Sequence, residues 1–150
     1  MKYSTFPRAI EIQTISACNA KCVICPHSQA SQKIPSGAMD MDLFCGVINQ
    51  IDPAWNCRII PYLNSEPMLD PLIIPRLRYI CLRSEHPELE LSTNVSTLTL
   101  SKQIAMTGIY LSELRLSLFG FTENTHKLIM PGLRWDMVKR NLDHLVVNHE

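Results

Sequence analysis

The sequence predicts an α/β fold of about four β/α units with parallel strands, and three observations carry that prediction. Short apolar or alternating runs and longer helical stretches alternate four times along the chain. The crossovers between successive strands are long enough to hold a helix, which implies parallel strands covered by helices. The 150 residues are 46% hydrophobic and 19% charged, ordinary usage for a domain that can bury a core.

Taken in order, Arg8 to Thr14 reads Arg-Ala-Ile-Glu-Ile-Gln-Thr, a near alternation expected of a first strand. A cysteine-bearing segment follows, then Ser28 to Ala38, which is polar, Pro- and Gly-containing and aperiodic, and so reads as a loop. Asp40 is placed to cap a first helix, whose apolar positions Leu43, Phe44, Val47, Ile48 and Ile51 share one face. Arg58 to Leu63 is the second strand, and Pro61 with Asn64-Ser65-Glu66-Pro67 marks its exit into a loop. Asp70-Pro71 predicts the next helix start, with Ile73, Ile74, Leu77, Ile80 and Cys81 on the apolar side. Glu88 to Thr93 alternates as a third strand, and Leu98 to Met106 is a third helix with Gly108 as its stop. Glu113 to Leu118 alternates again, and Val138, Leu142, Leu145 and Val146 define a last amphipathic helix. Such sheets bind ligands at the C-terminal ends of their strands, where the cysteine loop, Glu66, Asn94 and Ser117 fall.

Fourteen Lys and Arg balance fourteen Asp and Glu, so no global field draws the chain to nucleic acid or anionic lipid, and neither is an expected partner. No apolar run approaches the roughly 20 residues of a bilayer span. The first residues, Met-Lys-Tyr-Ser-Thr-Phe-Pro, carry no secretory h-region, so a cytoplasmic protein is expected. In a reducing compartment, clustered thiols hold metals or do chemistry more often than they form disulfides. Of six cysteines, Cys45, Cys57 and Cys81 are scattered and read as core thiols, whereas Cys18, Cys22 and Cys25 fall within eight residues.

Three readings compete for Cys18-x3-Cys22-x2-Cys25. Spacings of four and three also fall on one helical face, but this segment has no apolar stripe and Pro26 closes it. A zinc site would take His27 or a distant residue as fourth ligand, whereas structural zinc usually draws on paired knuckles and only one cluster is present. An iron-sulfur core of the 4Fe-4S type usually takes four Cys thiolates, so three would leave one iron open to an external chelating ligand.

The run CNAKCVICPH resembles the CxxxCxxC signature of the radical S-adenosylmethionine (radical SAM) superfamily, and further elements of that family follow in order. The resemblance is clearest to the branch whose members often carry a C-terminal SPASM or twitch auxiliary-cluster domain. Its Gly-Glu-Pro strand end and LxDP helix start are matched by Asn64-Ser65-Glu66-Pro67-Met68-Leu69-Asp70-Pro71. Its Ser-Thr-Asn-Gly strand end is matched by Ser92-Thr93-Asn94-Val95, and its fourth-strand serine and following Asn-Ile helix by Leu116-Ser117-Leu118-Phe119-Gly120 and Arg140-Asn141-Leu142. The chain departs from the pattern in three places. Asn64 and Ser65 stand where Gly usually precedes the Glu, Val95 stands for Gly, and Leu128-Ile129-Met130 occupies the region where some relatives place an Arg.

The resemblance implies a partial (β/α)6 TIM-like barrel, with residues 1–150 supplying the N-terminal portion of the core and ending before its last two units. It implies that Cys18, Cys22 and Cys25 ligate a 4Fe-4S cluster whose fourth iron is chelated by the amino and carboxylate groups of S-adenosylmethionine. Reductive cleavage would give methionine and a 5'-deoxyadenosyl radical that abstracts hydrogen from an unknown substrate, a peptide, protein or small molecule. Glu66 would help bind the cofactor's amino group, Ser117 its ribose or carboxylate, and Asn94 would face the site. Ile24 would pack near the adenine, and a flavodoxin or ferredoxin would donate the low-potential electron. The alternatives are a non-catalytic zinc or iron-sulfur module and an inactive fragment of such an enzyme. His86, His126, His144 and His149 lack ligand spacing and are expected at the surface, and Met39, Met41, Met106, Met130 and Met137 are expected to pack.

Overall fold

The computed structural model describes residues 6–27, 33, 35–52, 56–84 and 86–147. Within them β1 (Ala9–Glu11) leads to α1 (Met41–Ile48), and β2 (Arg58–Ile60) runs through a 3-10 turn (Pro67–Leu69) to α2 (Ile73–Arg83). β3 (Glu90–Thr93) leads to α3 (Leu100–Met106), and β4 (Glu113–Leu116) to α4 (Glu123–Ile129) and α5 (Trp135–Val147). Most of the aperiodic stretch after the cysteines, residues 28–32 and 34, lies outside the described residues, as do 148–150 with His149.

The named strands pair in parallel, with Ile10 opposite Ile59 and Leu91 opposite Leu114. A parallel bridge between Ile59 and Leu89, with the Ile59 N–H donating to Glu88 O at 2.7 Å, joins the two strand pairs in the order β1-β2-β3-β4. Sequential parallel order with helical crossovers is the arrangement the alternation predicted. The pleat sorts the side chains. Ile10, Ile59, Leu89, Leu91 and Leu114 meet Phe44 and Ile48 of α1, Ile73, Leu77 and Ile80 of α2, and Val138 of α5 in one apolar core. The alternate positions, among them Arg58, Glu90, Ser92, Glu113 and Arg115, form the opposite, concave face.

Local chemistry explains most boundaries. Asp40 caps α1 by accepting the Leu43 N–H at 2.7 Å. Gly108 follows α3 with φ +81°, the left-handed conformation a helix stop needs. α2 begins two residues later than Asp70-Pro71 predicts, because the Asp70 carboxylate accepts from Leu72 N–H at 2.8 Å and so caps a preceding turn. α4 is not visible in the apolar periodicity. Its seven residues carry no stripe, and it starts on a reciprocal capping box between Thr122 and Thr125.

Three sequence expectations change. His126 is buried rather than superficial: its ring tilts against Trp135 at 5.1 Å, and burial holds it toward the neutral imidazole. Cys45 and Cys81 are only half-buried, while Cys57 lies in the core as expected. Among the described residues no helix is long and apolar enough to cross a membrane.

The strongest polar tie in the scaffold is Asp70–Arg76. Both side chains are 0% exposed, and Arg76 Nε donates to Asp70 Oδ2 at 2.9 Å. The same guanidinium donates to the carbonyls of Met39 and Asp40 and lies 4.9 Å from the Phe44 ring centre, so it locks α2 onto the entry of α1. Removing one partner leaves the other charge buried and uncompensated. Asp70→Ala is therefore expected to destabilise the chain by about 3–5 kcal/mol, read by urea denaturation.

Candidate functional site

The loop leaving β1 carries Cys18, Cys22 and Cys25, all free and half-buried. The segment after α4 holds it from below. Lys21 N–H donates to Pro131 O at 2.7 Å, Val23 N–H to Ile129 O at 3.0 Å, and Ala20 packs on Met130 and Leu133 with Cys18 and Cys22 alongside. Gly132 permits this approach. It sits at φ +97°, and a Cβ there would stand 3.0 Å from Asn19 O.

Between the cysteines, Cys25 N–H donates to Cys22 O at 3.2 Å, and Cys25 Sγ in turn receives the His27 N–H at 3.5 Å. The His27 ring is turned away toward Ser16 O, with Nε2 at 3.2 Å. Burial pushes the Cys18 and Cys22 thiols up, and the Glu66 and Cys25 charges push Cys18 further, while Cys18 and Cys25 do the same to Cys22. Among the described residues no three His, Cys, Asp or Glu side chains close on one point as a preformed site for a single ion.

Glu66, at the exit of β2, is only 2% exposed. Its Oε1 accepts from Met68 N–H at 3.0 Å and Thr93 Oγ1 at 2.7 Å, and its Oε2 from Asn94 N–H at 2.7 Å. Its own N–H donates to Ala17 O at 3.0 Å, beside Cys18. Burial nevertheless raises its carboxyl above the ordinary value, against those donors and the charge of Lys102.

Asn94, at the end of β3, donates from Nδ2 to Asn19 Oδ1 at 2.9 Å, and Asn19 Nδ2 donates to Ser96 Oγ at 2.8 Å. Ser96 returns its hydroxyl to Asn94 Oδ1 at 2.7 Å. Val95, where the resemblance expects Gly, adopts φ +67°, a left-handed conformation unusual for a β-branched residue. Ser117 lies at the end of β4 with its hydroxyl 3.1 Å from that of Ser92. Ile24 is 62% exposed at the loop tip, and Met130, in the region where some relatives have Arg, is buried against the cysteine loop.

The concave face continues downward from these strand ends. Glu90, 2% exposed, is met by Arg58 at 3.0 Å, by Arg115 at 2.9 Å and by the Tyr62 hydroxyl. Burial and the bond to Glu90 push the Tyr62 phenol up to about 12. This network was missed in the sequence, as were Asn19, Thr93 and Ser96. Alternation along β3 and β4 puts these polar residues on one face, and the structure shows that face to be the concave one.

No protein-family model and no curated protein matches the chain. Among solved structures it is similar to BtrN in complex with AdoMet and 2-DOIA. The TM-score is 0.69 at 19% identity, over 91% of this chain and 56% of that one. A selenomethionine form of BtrN in an open conformation matches at TM-score 0.64 and 21% identity, over 76% of this chain and 51% of that one. The chain thus spans about half the length of these structures. At such identities the likeness establishes the fold alone, a mixed α/β architecture with parallel strands that matches part of the TIM-like fold of BtrN.

Two outcomes follow from this geometry. Gly132→Ala is expected to cost about 1–3 kcal/mol from the left-handed backbone alone, and to loosen the cysteine loop as read by faster amide exchange at Lys21 and Val23. The Tyr62 value lies above that of the unfolded chain, so its stabilisation is complete below about pH 10 and fades as pH rises toward about 12. Urea midpoints measured across that window should fall more steeply for the native chain than for Tyr62→Phe.

Proposed function

We propose that this chain forms the cofactor-binding part of a radical SAM enzyme, with Cys18, Cys22 and Cys25 holding a 4Fe-4S cluster that serves S-adenosylmethionine. The observation that carries this is the placement of three cysteines, in CxxxCxxC spacing, on the loop after the first strand of a fold shared with BtrN, whose structure holds AdoMet. The donor set fits. A single zinc ion draws its ligands to about 2.3 Å of one point, whereas an iron-sulfur core distributes thiolates over separate irons. Three free, half-buried thiols on one loop are the ligand type such a core takes.

When bound, the cluster and S-adenosylmethionine would supply the electron and the 5'-deoxyadenosyl radical for hydrogen abstraction from a substrate. The chain's own residues bind and orient. Three of the roughly four lone-pair positions of the Glu66 carboxylate are taken by protein donors, so it acts on the cofactor's ammonium chiefly through its charge and one remaining acceptor position. Met130 is buried and cannot pair with the carboxylate, which leaves the Ser117 and Ser92 hydroxyls as donors on the concave face. Exposed Val23 and Ile24 offer apolar cover beside Cys25 for the adenine. Substrate entering the concavity meets the Tyr62–Glu90–Arg115 wall, which suits a polar molecule. A cytoplasmic setting, a flavodoxin or ferredoxin as electron donor, and kinship with the SPASM/twitch branch belong to the same reading.

Anaerobic reconstitution with iron and sulfide should load about four irons per chain. Cys22→Ala should abolish the associated absorbance, and the dithionite-reduced chain should convert S-adenosylmethionine to methionine and 5'-deoxyadenosine. A colourless protein that takes up one zinc and leaves the cofactor intact would overturn the reading.

A further inference from the structure

His126 is 0% exposed, yet neither of its ring nitrogens has a hydrogen-bond partner among the described residues. Buried polar groups are nearly always paired, because an orphaned one costs its desolvation and gains no bond. The ring packs instead on Trp135 of α5, with centroids 5.1 Å apart and planes inclined at 52°. That environment suits a neutral imidazole and penalises an imidazolium.

No counter-charge is at hand for the protonated ring. On α4, Glu123 and Lys127 are exposed and paired with each other. Arg134 and Asp136 at the start of α5, and Lys139 and Asp143 along it, are likewise exposed and paired. Arg140 on α5 and Lys21 in the cysteine loop are exposed cations, and His144 lies further along α5. The turn at Gly120, which abuts the His126 backbone N–H, carries only Phe119, Phe121 and Thr122 beside it, with no charge.

The same residue stands one helical turn before the clamp on the cysteine loop. Its carbonyl accepts the Met130 N–H at 2.7 Å. Met130 in turn packs on Ala20, while Ile129 O takes the Val23 N–H and Pro131 O the Lys21 N–H. A change at the α4–α5 joint therefore reaches the loop through three consecutive residues, Ile129, Met130 and Pro131.

We propose that His126 is a proton-operated latch: when neutral it lets α4 and α5 close on each other and hold the cysteine loop, and when protonated it opens that joint and releases the loop. Burial holds the ring below its ordinary value in the closed form, whereas an exposed ring titrates near 6.5. Closure is therefore complete above about pH 6.5 and is lost as pH falls below it. One proton is taken up on opening, so the opening equilibrium rises by at most about tenfold per pH unit. The latch acts on the loop itself and needs no cluster, so it stands or falls independently of cofactor binding.

The test is amide exchange of the full chain between about pH 7.5 and about pH 5, expressed as protection factors so that the intrinsic pH dependence of exchange cancels. Protection at Lys21, Val23 and Met130 should fall by up to about tenfold per unit below about pH 6.5. Ile59 and Ser117, whose N–H groups are bonded to Glu88 O and Thr93 O within the sheet, should keep theirs. His126→Phe supplies a ring that cannot titrate and should leave protection at Lys21 and Val23 flat across the window. His27, His144 and the raised carboxyl of Glu66 all remain in that variant, so loss of the response assigns it to His126. A flat profile in the native chain overturns the proposal, and so does an unchanged fall in His126→Phe. Should that variant fail to fold, the His126 ring resonances of the native chain decide. A ring still neutral at about pH 6, together with the fall in protection, supports the latch, and ordinary titration near 6.5 overturns it.

Discussion

The buried carboxylate of Glu66 is the constraint on which the rest of the site depends. Parallel strands end side by side but share no hairpin, so something other than covalent turn geometry must hold their C-terminal ends in register. Glu66 does this by accepting from the 3-10 turn at Met68, from the Thr93 side chain and from Asn94 N–H, while its own N–H reaches Ala17. One residue therefore ties the exits of β1, β2 and β3 together. The arrangement is costly, because burial disfavours the charge despite three donors, and Lys102 beside it is likewise pushed down by burial. A carboxylate kept there at such a cost indicates that the position of these strand ends matters more than local stability.

The scaffold was legible because its helix-facing side obeys two simple periods. Ile59, Leu91 and Leu114 alternate, Leu77 and Ile80 recur at helical spacing, and the caps at Asp40 and Gly108 mark ends that side-chain and backbone chemistry fix locally. What escaped had no periodic signature. α4 is seven residues long and depends on a Thr122–Thr125 box. His126 is buried because α5 places Trp135 against it, a contact that no local pattern encodes.

The site was legible as a list of positions and not as a set of bonds. Cys18, Cys22, Cys25, Glu66, Asn94 and Ser117 do gather at the strand ends, because in a parallel sheet all crossovers return to the same edge. Their partners come from elsewhere in the chain: Asn19 meets Asn94 across 75 residues, and Arg58 meets Glu90 across 32. Alternation told which side chains of β3 and β4 share a face. It did not tell that the polar face is the concave one, since a solvated face leaves the same pattern.

These bonds also locate where chemistry can enter. Both oxygens of Glu66 are engaged by backbone and Thr93, and both ends of the Asn94 amide are committed to the ring with Asn19 and Ser96. Such groups hold geometry, and each has little capacity left to bind a new partner. The thiols differ. Burial raises both Cys18 and Cys22, the Glu66 and Cys25 charges adding to the first and the Cys18 and Cys25 charges to the second, so the thiolate forms are disfavoured in the unliganded loop. The saturated groups fix the frame within which the three free thiols of the loop after β1 stand.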